Sequence, residues 1–210
     1  MAKPGKKQNR TDSIRSFKRR HILAAARRIF AEKGLDGLNM RAIAAEAGYS
    51  LGAAYAYFQT KEEIQLELLA TILNELTRHI KAASTSPTED KSTNRRAFSL
   101  VADYFCERPE ERRLLLLTLP GLAAEDAKIP PVVRKEFDSR LLTLMGLLAN
   151  SLHRIHSVPP ALSQEETIDF VAFLLGLLML ENGGRLQLLN QQPQEMVDRY
   201  AKRMLLRLAQ

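Results

Sequence analysis

The stretch from Asn39 to Lys61, NMRAIAAEAGYSLGAAYAYFQTK, leaves a chain few ways to fold. Asn39 is a good N-cap for a short helix on which Ile43, Ala44 and Ala47 share one face. Gly48 follows at once, and a glycine just past a helix end supplies the left-handed residue that stops it. Ser50 caps a second helix with Leu51, Ala54, Tyr55 and Phe58 at helical spacing, and Thr60 to Glu63 reads as a capping box opening a third. Ala44, Ala45, Ala47 and Ala54 are small enough for two helix axes to approach closely. Two brief helices, a glycine turn and small residues at the crossing predict a helix-turn-helix, a unit that reads DNA.

Charge supports that reading. The net charge of +7 over 210 residues is uneven: residues 1–60 carry +8 and the remainder −1. All the excess positive charge therefore lies beside the helix-turn-helix, which points to a polyanionic partner for that part of the chain. A basic tail alone accounts for Lys3 to Arg10 but not for Arg27, Arg28, Lys33 and Arg41. With one cysteine, Cys106, no disulfide forms within the chain, which suits a reducing cytoplasm. The longest apolar run, Phe170 to Leu180, has 11 residues, against the roughly 20 of a membrane-spanning helix, so a buried helix is expected there. The basic N-terminus lacks the apolar segment of a signal peptide, and the protein is expected in the cytoplasm, away from membranes.

Taken in order, residues 1–13 are polar and basic without periodicity, and predict a disordered arm. Such an arm either lies along DNA or is a solvated tail. A first helix is predicted over 14–33, with Ile22, Ala25, Ala26, Ile29 and Phe30 on its buried face and Gly34 ending it. The DNA-binding domain spans 14–60. A connector helix follows over 61–83, with one apolar row through Ile64, Leu68, Ile72, Leu76 and Ile80 and another through Leu69 and Leu73. Residues 84–92 are a polar break that opens a leucine-rich helical domain over 84–210. Its helices are predicted over 93–107, 109–122, 130–156 and 164–183, the fourth opened by a capping-box pattern from Ser163 to Glu166, with a last one from Pro193. No strand-like alternation and no repeat occurs, so the fold class is all-α.

Ile22, Ala25, Ala26, Phe30, Gly34, Ile43, Ala44, Ala47, Gly48, Gly52, Tyr55, Phe58, Lys61 and Glu62 fall at the spacing of TetR-family regulators, which the chain resembles over about residues 16–66. The resemblance implies a three-helix DNA-binding domain on a larger helical domain that binds a small molecule and dimerises. It implies that the second helix of the motif enters the major groove, with Arg41, Ser50, Leu51, Gly52 and Tyr55 near base edges and Asn39, Tyr57 and Lys61 toward phosphates. Asn39 and Met40 depart from the threonine or serine of many members, and the groove helix is nearly apolar. Arg41 is then the strongest base reader, suited to a bidentate contact with guanine, while Leu51 suits a thymine methyl. Tyr49 is read as packing. Lys61 opposes the dipole of the helix it opens, and a phosphate gives it a reason to be there.

In the second domain, Phe98, Phe105, Cys106, Met145 and Phe173 are candidates to line a site for a largely hydrophobic ligand. Ala172 and Gly176 are one turn apart on a helix apolar nearly all round, and Val197, Tyr200 and Met204 lie on the apolar face of the last one. Together they predict a four-helix interface between two copies. No nucleophile–base set, P-loop or dinucleotide-binding glycine pattern is present, so no enzyme and no cofactor is expected. His153 and His156 have metal-ligand spacing but no third ligand nearby, so no metal is expected either. The expected function is a homodimeric regulator, a repressor that leaves a palindromic double-stranded operator when a small hydrophobic ligand binds. The alternative is a structural chromosome-binding protein of the same fold that needs no ligand.

Overall fold

The computed structural model describes residues 6–83, 92–121 and 129–208, and every regular element among them is a helix. In chain order these are α1 (Lys6–Gly37), α2 (Met40–Glu46), α3 (Leu51–Tyr55), α4 (Lys61–Ala83) and α5 (Ser92–Cys106). They continue as α6 (Pro109–Gly121), α7 (Pro131–His156), α8 (Pro160–Asn182), α9 (Arg185–Leu188) and α10 (Pro193–Leu208). The chain separates into two compact units, Met1–Leu68 with Gly121–Arg134 and Leu69–Pro120 with Lys135–Gln210, so α4 contributes residues to both. The fold is a helix-turn-helix unit followed by a larger helical one.

In the first unit, α1 packs on α2 and α2 on α3. The apolar face foreseen for α1 is its buried one: Ile22, Ala25 and Ala26 are fully buried, and Ile29 and Phe30 nearly so. Gly34 breaks the helix with φ 63° and ψ −161°, and the chain turns through a Leu38 N–H to Leu35 carbonyl hydrogen bond. At its other end α1 begins at Lys6, so residues 6–13 are helical where an arm without regular structure was expected, while residues 1–5 of that arm lie outside the described residues. A helix already nucleated by a buried face adds residues at little cost, and this extension needs no apolar period of its own.

In the second unit, α10 packs on α5 and α8. An edge-to-face pair of Phe98 and Phe170, ring centroids 4.6 Å apart, joins α5 to α8. On the part of α7 in this unit, Phe137, Leu144, Leu148 and Leu152 are buried, as their spacing predicts, while Leu141 of the same row is half-buried. The start of α8 differs from expectation: it begins at Pro160, and Ser163 is a buried residue inside the helix, its hydroxyl 3.4 Å from the Val158 carbonyl. The fixed φ of proline suits the first helical position and moves the start upstream of the capping pattern. Of the polar break expected at 84–92, residues 84–91 lie outside the described residues and Ser92 already belongs to α5. No helix among the described residues is long and apolar enough to cross a membrane.

Candidate nucleic-acid interface

The motif is built from local hydrogen bonds that its sequence specifies. Asn39 Oδ1 accepts from the Ala42 N–H at 2.9 Å and starts α2. At the other end, Gly48 at φ 70° lets its own N–H reach the Ala45 carbonyl at 3.0 Å and the Tyr49 N–H reach the Ala44 carbonyl at 2.9 Å. That pair of bonds is a Schellman cap, which a residue with a Cβ would strain. Ser50 Oγ then accepts from the Ala53 N–H at 3.2 Å and starts α3. A polar cap of this kind contributes about 1 kcal/mol. Thr60 Oγ1 accepts the Glu63 N–H at 3.2 Å, while Glu63 Oε2 reaches past Thr60 to the Gln59 N–H at 2.8 Å.

These bonds decide what α3 shows. Ala54 is fully buried on its inner side, whereas Ser50, Leu51, Gly52 and Tyr55 form an exposed outer face, Tyr55 at 47%. A Cβ at Gly52 would meet no atom within 4 Å beyond its chain neighbours and the backbone of its own helix. Arg41 is exposed in the first turn of α2 and Lys61 is exposed at the first residue of α4. Asn39 is exposed as well, but its side chain is engaged at both ends, since Nδ2 donates to the Gly37 carbonyl at 3.3 Å. Tyr57 is half-buried and its carbonyl accepts from Arg19. Tyr49 makes an edge contact with His21 at 6.0 Å, the packing role read for it.

A feature of this unit that periodicity could not show is the bonding of Arg19. Its guanidinium lies 4.0 Å from the centre of the Phe58 ring and donates to the Tyr57 carbonyl, to Glu67 and, at 2.8 Å, to Glu63. Burial works against its charge, but the hydrogen bonds and charges of Glu63 and Glu67 prevail and hold its pKa above the ordinary arginine value. Arg28 is likewise engaged, 2.7 Å from Glu46.

The residues proposed from sequence for the second unit have mixed surroundings. Phe98 and Phe105 are buried core, Cys106 and Met145 are half-buried, and Phe173 stacks on Tyr200 with centroids 4.5 Å apart. That stack joins a residue assigned to the ligand with one assigned to the dimer interface. Val197 and Met204, each 1% exposed, are a correction to the interface: they fill the chain's own core and offer no surface to a second copy. Ala172 and Gly176 are exposed, in line with Ile168 and Met179 on one face of α8. Burial, then the nearby charge of Glu181, pushes the Cys106 thiol up to about 11, which makes it an unreactive packing group. Sequence reasoning also missed the polar atoms of α6, because a helical period sorts only apolar faces. Glu111 Oε2, Arg112 Nε and Thr118 Oγ1 are buried without a hydrogen-bond partner. Arg112 Nη1 meanwhile donates to the Phe105 and Cys106 carbonyls at 3.2 and 3.0 Å, closing the end of α5. Among the described residues, no three His, Cys, Asp or Glu side chains are grouped to hold a metal.

Residues 22–68 match the model of the family described as bacterial regulatory proteins, tetR family. The chain is 38% identical over 64 residues to the HTH-type transcriptional regulator PksA of Bacillus subtilis, covering 30% of this chain and 31% of that one. It is 27% identical over 115 residues to the HTH-type transcriptional activator FasR of Mycolicibacterium smegmatis, covering 53% of this chain and 52% of that one. The chain thus aligns with about a third to a half of the length of these relatives. Among solved structures, FadR of Thermus thermophilus, a TetR-family repressor in complex with lauroyl-CoA, superposes with a TM-score of 0.61 at 19% identity, over 89% of this chain and 93% of that one. A TetR transcriptional regulator from Rhodococcus sp. RHA1 gives 0.63 at 15% identity, over 90% and 98%. At such identities the likeness is one of fold.

Proposed function

We propose that this chain, a DNA-binding transcriptional regulator of the tetR family, acts as a homodimer that represses from a palindromic operator and releases it when a small, largely apolar ligand binds. The observation that carries the DNA part is the outer face of α3. It offers Ser50, Leu51, Gly52 and Tyr55 to a partner while Ala54 anchors the helix inside, and Arg41 and Lys61 stand exposed on the flanking helices. A helix held this way fits a major groove. Leu51 meets a thymine methyl, Arg41 hydrogen-bonds a guanine, and Lys61, the Tyr57 hydroxyl and the remaining N–H of Asn39 face phosphates. In the second unit, the unpartnered atoms of Glu111, Arg112 and Thr118 support a ligand with polar groups on an apolar body, since a buried polar atom left unpaired costs about 1–3 kcal/mol. Cys106, Met145 and Phe173 supply apolar contact.

The test begins with duplexes selected from a random pool by the purified protein. Affinity for the selected palindrome should fall steeply with salt, because each phosphate contact releases counterions. Lys61→Ala should weaken all duplexes alike and flatten the salt slope by about one, while Arg41→Ala should cost about 1–3 kcal/mol at one base pair per half-site. Titrating a lead ligand from a thermal-shift screen with and without operator then tests release. By linkage, operator must weaken the ligand by the factor by which the ligand weakens operator. Equal ligand affinity in both titrations means that the ligand does not control DNA binding.

A further inference from the structure

We infer that Arg19 is a positioning residue for DNA recognition: from α1 it fixes the exit of α3 and the first two turns of α4, so that the outer face of α3 is presented at one angle. The inference rests on the DNA-binding reading above. Arg19 bonds to nothing on α3 itself. Instead it takes hold of the segment that leaves α3: the Tyr57 carbonyl two residues past the helix, the Phe58 ring, and Glu63 and Glu67 one turn apart on α4. Phe58 is fully buried and the Glu63 side chain is 2% exposed, so two of these partners have no room to drift. Glu63 extends the hold back to Gln59 through its second oxygen. The carbonyl, the ring and both carboxylates thus converge on one planar cation.

The choice of arginine follows from that geometry. A guanidinium offers five N–H groups in a rigid fork and a flat face for an aromatic ring, whereas an ammonium is a point charge on a flexible stem. Lysine at this position would keep the charge opposite Glu63 but not hold the carbonyl, both carboxylates and the ring together. An ordinary stabilising ion pair would ask less of its cation. A direct phosphate contact would ask for free N–H groups facing outward, and the Arg19 bonds run to the protein instead.

The experiment uses the full chain and two probes, a duplex selected from a random pool by the wild type and a scrambled duplex of equal length. Arg19→Lys and Arg19→Ala should weaken the selected duplex by about ten-fold or more, the scale of one lost base contact, and leave the scrambled duplex within about two-fold. The salt slope on the scrambled duplex should not change, because no phosphate contact is lost. Glu67→Gln, which removes one carboxylate at a half-buried position, should give a smaller loss of the same kind. Affinities are compared per folded molecule, from thermal melts run alongside. The inference is overturned if Arg19→Lys discriminates the two duplexes as the wild type does, or if the loss merely tracks the unfolded fraction. It is equally overturned if both duplexes weaken together with a slope lower by about one, which would make Arg19 a phosphate contact. A wild type that selects no duplex at all would instead remove the DNA-binding reading, and this inference with it.

Discussion

The Glu166 carboxylate of α8 accepts a hydrogen bond from the Arg207 guanidinium of α10 at 2.7 Å, joining residues 41 positions apart. Glu166 is buried and Arg207 is half-exposed, so water can partly replace the arginine when it is removed. Arg207→Ala should therefore cost about 1–3 kcal/mol, since the carboxylate left behind is buried while the arginine side is open to water, and less at high salt. Urea denaturation at two salt concentrations measures both. A loss several times larger would mean that Glu166 stays sealed from water without its partner.

Under the proposed dimer, the exposed face of α8 is the surface that meets the second copy. Ile168, Ala172, Gly176 and Met179 form an apolar row open to solvent, Ile168 at 56% and Met179 at 65%. A Cβ at Gly176 would meet nothing within 4 Å beyond its chain neighbours and the backbone of its own helix, so a larger residue there is no threat to the chain's own core. Gly176→Leu is expected to keep its helical circular dichroism, to sediment as a monomer at micromolar concentration, and to lose operator affinity. Two half-sites about 34–36 Å apart need two recognition helices held together. A wild type that sediments as a monomer under the same conditions, or a variant that stays dimeric, contradicts the interface.

The DNA-binding motif was legible in the sequence because the caps and the turn that shape its two helices are local. Asn39, Gly48 and Ser50 each act within five residues, through one cap or one left-handed turn. The α8 start was misread for a related reason: the Ser163 to Glu166 pattern looks alike wherever it stands, and two prolines just upstream override it. Val197 and Met204 show a different limit. Periodicity identifies an apolar face but not whether the same chain or a second copy covers it, and here α10 turns both inward. Arg19 is the clearest case, because its partners stand 38 to 48 residues away. In the sequence it is one more positive charge among many.

Under the proposed groove contact, Gly52 sets stability against function at a single atom. It is exposed on α3, its φ is not positive, and no neighbour occupies the place of a Cβ. Nothing inside the chain therefore requires glycine there. An exposed helical glycine still costs roughly 0.5–1 kcal/mol relative to alanine, through the backbone freedom it loses on folding. What glycine offers in return is access, since without a side chain the backbone of α3 can approach a base edge or a phosphate. Gly52→Ala should accordingly raise the urea midpoint by the equivalent of about 0.5–1 kcal/mol while weakening the selected duplex. The salt slope should stay as in the wild type, because no charge changes. Gly52→Val should weaken DNA binding further, its branched side chain standing farther off the helix. A Gly52→Ala variant that is more stable and binds the selected duplex unchanged would show that this turn of α3 stands off the groove, leaving Ser50, Leu51 and Tyr55 to reach it without the backbone.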